Sequence, residues 1–250
     1  MLDEGMSVVP EQNWESYLYR TDNGPVISTF YTEADKIEQS RFPHCARIII
    51  PIQKPNENGG PANEEADVLW AMEDDLAALL TENEADCLMV GRLTHSGKRE
   101  LVFQVGDWDQ FRPYVGLWLR EIDAYEGMDI SEHEGWDFFF DSVWPSPESW
   151  QWITDKRVVA SLMESGSDPE KLHVIEYCFR GSEQPLRTLA QVLSGRGYQM
   201  MELSSSEERL LMSKTMPLDM QLIGPESVYL MHQAESLGLE FDGWGALSVK

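Results

Sequence analysis

Leu172-His173-Val174-Ile175-Glu176-Tyr177-Cys178-Phe179 is the stretch on which the fold turns. It is rich in β-branched and aromatic residues, which suit a pleated, half-buried surface. An amphipathic helical pattern follows: Ser182 stands at the cap position, Leu186, Leu189, Ala190 and Leu193 share one face, and Gly195 and Gly197 stop it. Residues 198–203 and 209–215 then read as a hairpin across Ser204-Ser205-Ser206. Pro225 is expected to open a last helix with Val228, Met231, Ala234 and Leu237 inward, and residues 239–241 and 246–249 to give the closing strand. Strand, helix, strand, strand, helix, strand is the order of a split β-α-β, ferredoxin-like unit. Its four strands make an antiparallel sheet with two helices on one face.

The same order is found upstream. Two loosely alternating runs, 14–19 and 25–30, flank Asp22-Asn23-Gly24, and an Asn-Gly pair between strand-like runs signals a hairpin. The continuous run Ala46-Arg47-Ile48-Ile49-Ile50-Pro51-Ile52 reads as a buried strand, and Asn56 to Pro61 as a loop. Asn63 is placed to cap a helix with Ala66, Leu69, Met72, Leu76, Leu79 and Leu80 on one face, opposite a solvated acidic face of Glu65, Asp67, Asp74 and Asp75. Residues 87–93 and 100–105 form a second hairpin, and Asp107 caps a helix carrying Trp108, Phe111, Val115, Trp118 and Leu119. Residues 122–125 and 136–140 are candidate edge strands, with a long acidic connection, 126–135, between them. Ser146 and Pro147 start a further helix to about Glu164, expected as a joint. The fold predicted is therefore α+β: two tandem ferredoxin-like (βαββαβ) units with antiparallel sheets, joined by a helix. Their expected bounds are 1–145, 146–168 for the connecting helix and linker, and 169–250. No residue-level repeat accompanies the repeated order.

A chain of 250 residues with 42% apolar content can bury a substantial core. The acidic start Met1-Leu2-Asp3-Glu4-Gly5 lacks the pattern of a signal peptide, and no apolar run spans a bilayer, so the expected setting is cytoplasmic, with no membrane association. Cys45, Cys87 and Cys178, far apart and odd in number, read as buried reduced thiols. The net charge of −25 is uneven: residues 1–150 hold 30 Asp and Glu against 10 Lys and Arg, a net of −20, and residues 151–250 hold 14 against 9, a net of −5. Such a field repels nucleic acid phosphates and anionic membranes and attracts a basic protein segment.

Several pieces of the second unit resemble the regulator of ribonuclease E activity B family. They are Leu162-Met163-Glu164-Ser165-Gly166, the strand end Glu176-Tyr177-Cys178-Phe179, the spaced set Leu189, Ala190, Leu193, Gly197 and Tyr198, and above all Glu240-Phe241-Asp242-Gly243-Trp244-Gly245. The resemblance covers about residues 155–250. The first unit resembles the domain of unknown function 695, through Phe42-Pro43, Asn58-Gly59 with Pro61, Gly91-Arg92-Leu93-Thr94 and Gly97-Lys98-Arg99-Glu100. The first resemblance implies a small acidic α+β protein that binds the endoribonuclease and lowers its activity, without catalysis. The second implies no assigned chemistry. The extra acidic unit departs from the single-domain founders.

Asp242-Gly243-Trp244-Gly245 has a structural explanation, since Gly permits tight turns at positive φ and Trp244 can plug the sheet end. Asp242 and Trp244 are also the acceptor and aromatic best suited to a partner. The histidines (His44, His95, His133, His173 and His232) show no metal-ligand spacing, and Glu132-His133-Glu134 beside Asp129 reads as an acidic loop. Gly195-Arg196-Gly197 is a helix stop, and no Walker loop, Gly-x-Ser-x-Gly or Cys-x-x-Cys is present. Trp144, Trp150 and Trp152, around the break between units, complete the candidate partner-binding set. No catalytic, cofactor or metal site is assigned. The leading expectation is a non-enzymatic protein-interaction module, its partner a basic protein segment such as that of a ribonuclease. The alternative is an enzyme of unrecognised type with a carboxylate site in the cleft between the units.

Overall fold

In the first unit, alternating burial and turn chemistry set out the strands in chain order. The computed structural model describes residues 8–10, 13–122, 125 and 127–249, and the chain divides into two units, Met1–Pro145 and Ser146–Lys250. β1 (Trp14–Thr21) and β2 (Gly24–Tyr31) close the hairpin expected at Asn23-Gly24, where Gly24 takes φ +111°. β3 (His44–Pro51), α1 (Asn63–Glu82), β4 (Cys87–His95), β5 (Lys98–Val105), α2 (Trp108–Glu121) and β6 (Asp129–Glu134) follow. The sheet order is β1-β2-β4-β5-β3-β6, antiparallel throughout. Within it, β4-β5-β3-β6 is the ferredoxin-like set, and the N-terminal hairpin extends it beyond β4. Ile48, Ile50, Leu101 and Phe103 meet Leu69, Leu76, Leu80, Phe111 and Val115 in one core. Asp107 caps α2 by accepting from the Asp109 amide at 2.8 Å.

Four local expectations for this unit are corrected. Asn63 is the first residue of α1, entered through Ala62, instead of its cap. Glu65 is buried: its carboxylate accepts from the backbone N–H of Gln53 (2.6 Å) and Lys54 (2.8 Å), donors that the chain exposes as it leaves β3. The last strand is β6, inside the stretch expected as a connection. Among the described residues it is an edge strand paired with β3 alone, and its acids Asp129, Glu132 and Glu134 are exposed, which is how edges avoid further pairing. Ile122 instead closes α2, and Asp123 and Ala124 of the expected strand lie outside the described residues. Finally, residues 136–140 do not form a strand. They lead into a π-helical turn, Phe139–Val143, laid over the sheet face opposite the helices. There the Val143 carbonyl accepts from Ser28 Oγ at 2.7 Å, and a Cβ on Gly91 would stand 2.3 Å from Val143 Cγ1, so only glycine fits beneath the turn.

The second unit contains α3 (Pro147–Glu164), β7 (His173–Arg180), α4 (Glu183–Ser194), β8 (Gln199–Ser204), β9 (Arg209–Met216), α5 (Met220–Ser236) and β10 (Glu240–Ala246). The order β10-β7-β9-β8, again antiparallel, is ferredoxin-like. Ile175, Tyr177 and Phe179 of β7 pack under Leu186, Leu189 and Leu193 of α4 and Ile223 and Leu230 of α5. Ser146 caps α3 as expected, accepting from the Ser149 amide at 3.2 Å, and Val159 of this helix joins the core of the second unit. α5 begins five residues before Pro225, because Asp219 caps it through the Gln221 amide at 2.8 Å. Its inward face is therefore Ile223, Ser227, Leu230 and Ala234, with Pro225 on the exposed side. β10 runs unbroken through Asp242-Gly243-Trp244-Gly245. The register slips between Phe241 and Trp244 with Gly243 at φ +86°, so the expected turn is a bulge within one strand.

Candidate functional site

Period-two alternation along β7 sorts its side chains onto two faces. His173, Ile175, Tyr177 and Phe179 are buried under the helices, whereas Val174, Glu176, Cys178 and Arg180 lie on the helix-free face. Val174 is 50% exposed there, so this face is open. By register, β9 adds Thr215, Ser213, Leu211 and Arg209, β8 adds Glu202, and β10 adds Glu240 and Gly245.

The bulge at Gly243 places Asp242 on the same face. Asp242 Oδ2 accepts from Arg180 Nε at 2.6 Å and from the Cys178 thiol at 3.6 Å. Arg209 Nη2 donates to Glu202 (3.0 Å) and Glu207 (2.8 Å). Both arginines are thus held by their own carboxylates, and Glu176 and Glu240 add further negative charge. The Cys178 thiol is pushed up by its partial burial and by the Asp242 carboxylate beside it, so it is a poor nucleophile near neutrality. It is half-buried on a polar face, not enclosed in a core as Cys45 and Cys87 are. Chemically, the face offers fixed carboxylates around a partly apolar strip, acceptors suited to cationic donors.

The five residues singled out by sequence are not one cluster. Asp242 alone is on the open face. Trp244 stands opposite Tyr177, towards the helices, and its indole N–H donates to Asp155 Oδ1 of α3 at 2.7 Å. Asp155 is fully buried, also accepts from Gln151 Nε2 at 2.8 Å, and its carboxyl is pushed up by burial. Trp152 is 40% exposed on α3, its ring lying over Gly224 of α5, and Trp150 on the same helix is half-buried. Trp144 belongs to the first unit, in edge contact with Phe30 at 5.3 Å and beside Phe139 at 5.6 Å. Sequence reasoning passed over Glu176, Arg180, Glu202 and Arg209. For Glu176 and Arg180 the signal is the polar half of the β7 alternation, whereas Glu202 of β8 and Arg209 of β9 join them only through the strand register.

The acidic run on β6 is engaged within the protein: Glu132 with Arg112 at 2.6 Å, Glu134 with His44 at 2.8 Å, and His133 with Ser131 at 3.0 Å. Among the described residues no group of three or more His, Cys, Asp or Glu is placed to hold a metal ion, and no helix is long and apolar enough to cross a membrane.

Comparison with known proteins gives two matches along the chain. Residues 12–143 match the model of a family of unknown function, DUF695, and residues 152–246 match that of regulator of ribonuclease activity B. A regulator of ribonuclease activity B from Pseudoalteromonas atlantica is 30% identical over 115 residues, covering 41% of this chain and 96% of the relative. Another, from Xenorhabdus nematophila, is 28% identical over 103 residues, covering 38% of this chain and 73% of the relative.

Proposed function

We propose that this chain, which belongs through residues 152–246 to the regulator of ribonuclease activity B family and through residues 12–143 to the DUF695 family of unknown function, is a non-catalytic binder that lowers the activity of an endoribonuclease. The observation that carries the reading is the open face of the second sheet. It presents Glu176, Glu202, Glu240 and Asp242 against only Arg180 and Arg209, both already paired. A basic segment of the enzyme is the occupant that such a face attracts, and the net charge of −25 steers it there. Direct nucleic acid binding is disfavoured by the same charge. Trp244 and Asp155 act behind the face, fixing α3 to β10, and Trp152, 40% exposed over Gly224 of α5, is a second candidate contact on the helix side.

The test is charge reversal on the face. Glu176→Lys with Asp242→Lys, in the full chain, is expected to weaken association with the endoribonuclease by about tenfold or more at low salt, roughly the effect of replacing close attraction with repulsion. Trp244→Ala instead is expected to lower the melting temperature, since it leaves Asp155 buried without one of its donors. Association unaffected by the double reversal, with the melting temperature unchanged, would remove this face from the interface.

A further inference from the structure

The helix-free face of the first sheet contains a charged cavity that the ribonuclease reading does not use. Arg47 of β3, His95 of β4 and Lys98 and Glu100 of β5 converge beside a cavity of about 210 Å³, bounded on its other sides by Tyr19, Val26, Leu93 and Phe138. Glu100 is the centre, its side chain 1% exposed. Its Oε2 accepts from Arg47 Nε (3.0 Å) and Nη2 (2.5 Å), and its Oε1 from His95 Nε2 (3.0 Å) and Lys98 Nζ (2.7 Å). Both carboxylate oxygens are therefore occupied by the protein itself. Burial alone would push this carboxyl up, but the hydrogen bonds from His95, Lys98 and Arg47, with the Arg47 charge, hold it down at about 2.

Lys98 is not used up in the same way. It keeps ammonium hydrogens beyond its bond to Glu100, and its side chain is 34% exposed. Arg47 is held flat over the Phe138 ring at 4.0 Å with all three guanidinium nitrogens engaged, Nε and Nη2 on Glu100 and Nη1 with His133 Nε2 at 3.3 Å. It therefore brings its charge to the cavity, while Lys98 brings the donor. Two permanent cations against one carboxylate leave the cavity a net charge of +1. That excess stands in a region, residues 1–150, whose net charge is −20. A local charge opposite to the surrounding field, on preorganised side chains and beside apolar walls, is the arrangement of a ligand site. The volume is below the roughly 300–1,000 Å³ of sites for drug-sized ligands, and a charge of +1 is matched by one negative charge.

We propose that this cavity binds a small organic monoanion, a monocarboxylate with a compact apolar body, whose carboxylate accepts from Lys98 in the field of the Arg47 charge while its body rests against Val26 and Leu93. Glu100 orients the two cations and is not itself a contact for the ligand.

The probe is benzoate, titrated into the full chain with benzamide as its neutral counterpart and inorganic phosphate as a competing anion, followed by calorimetry and by amide NMR shifts. Saturable benzoate binding is expected, with shifts at Lys98, His95 and Tyr19. Benzamide is expected to bind at least about tenfold more weakly, and Lys98→Gln to weaken benzoate by a similar factor, as for loss of a charge-assisted hydrogen bond. Lys54→Gln, outside the cavity, is expected to change nothing. The NMR mapping on the unmodified chain keeps the test valid if a variant folds poorly. No saturation by about 20 mM benzoate, well beyond millimolar affinity, would overturn the proposal. So would equal binding of benzamide, shifts mapping elsewhere, or phosphate binding this site in place of benzoate.

Discussion

Glu100 and Asp155 are both fully buried carboxylates, and their surroundings treat them in opposite ways. Glu100 is held at about 2 because donors on three sides outweigh its burial. Its folded value lies below the ordinary one near 4.5, so its contribution is fully present above pH 4.5 and is lost as pH falls towards 2. Glu100→Gln is accordingly expected to destabilise the first unit at pH 7 by on the order of 3 kcal/mol, with the difference shrinking below pH 4.5, as read by urea unfolding across pH. Asp155 is pushed up by burial, ahead of the bonds from Trp244 and Gln151 that lower it. The folded state therefore favours its protonated form, and stability is lost as pH rises through its folded value. Asp155→Asn keeps an acceptor for Trp244, so this variant is expected to match or exceed the parent at pH 7 and to lose any advantage in acid; a less stable variant at pH 7 would show that the charge is needed. The thiols separate similarly: burial pushes Cys45 and Cys87 up to about 12, so a thiol reagent at pH 8 is expected to label Cys178 first and the other two only on unfolding. The burial of Cys45 and Cys87 was legible in the sequence, whereas the half-exposure of Cys178 and the settings of the carboxylates were not. Lys98, His95 and Gln151 are near neighbours in sequence, but the Arg47 that Glu100 draws from β3, the Trp244 that Asp155 draws from β10 and the Gln53 and Lys54 amides on Glu65 are pairings that no local pattern announces.

At the scale of elements, caps were legible where a short polar residue directly preceded an apolar period, as at Asp107 and Ser146. The start of α5 was not, because Pro225 looks like a first-turn proline while Asp219, five residues earlier than the predicted start would place it, is the cap. β6 was hidden by its acids: an edge strand needs no apolar alternation, so the usual signal is missing. The aromatic run from Trp136 to Phe140 was misread for the opposite reason, since its strand propensity gave way to covering a sheet face as a π-helical turn. Packing between α3 and α5 depends on Gly224, where a Cβ would stand 2.6 Å from the Trp152 ring. Gly224→Ala is expected to cost about 1–3 kcal/mol, as overpacking does, seen as a lower melting temperature; Gly224→Ala together with Trp152→Ala is expected to restore part of it. Full stability of the single variant would contradict the close approach.

For the whole molecule, the two βαββαβ orders were legible because each rests on hairpin turns and apolar periods that repeat at the level of pattern. Both sheets show the same antiparallel ferredoxin-like order, the first extended by a hairpin. Function was legible only through the resemblance of the segment ending in Asp242-Gly243-Trp244-Gly245, and the family matches agree with it. Of the site, the motif pointed to Asp242, but the face around it is assembled from four strands and emerges only with the register. The central claim is that an acidic chain lowers an endoribonuclease's activity by binding it. The most direct measurement is the enzyme's rate of RNA cleavage as the full chain is titrated in, at about 50 and 500 mM salt, where screening lengths differ severalfold. The predicted result is a saturable fall in rate at low salt that is largely relieved at high salt, with RNA left intact by the chain alone. A rate unchanged at every ratio, or inhibition equal at both salts, would contradict the account.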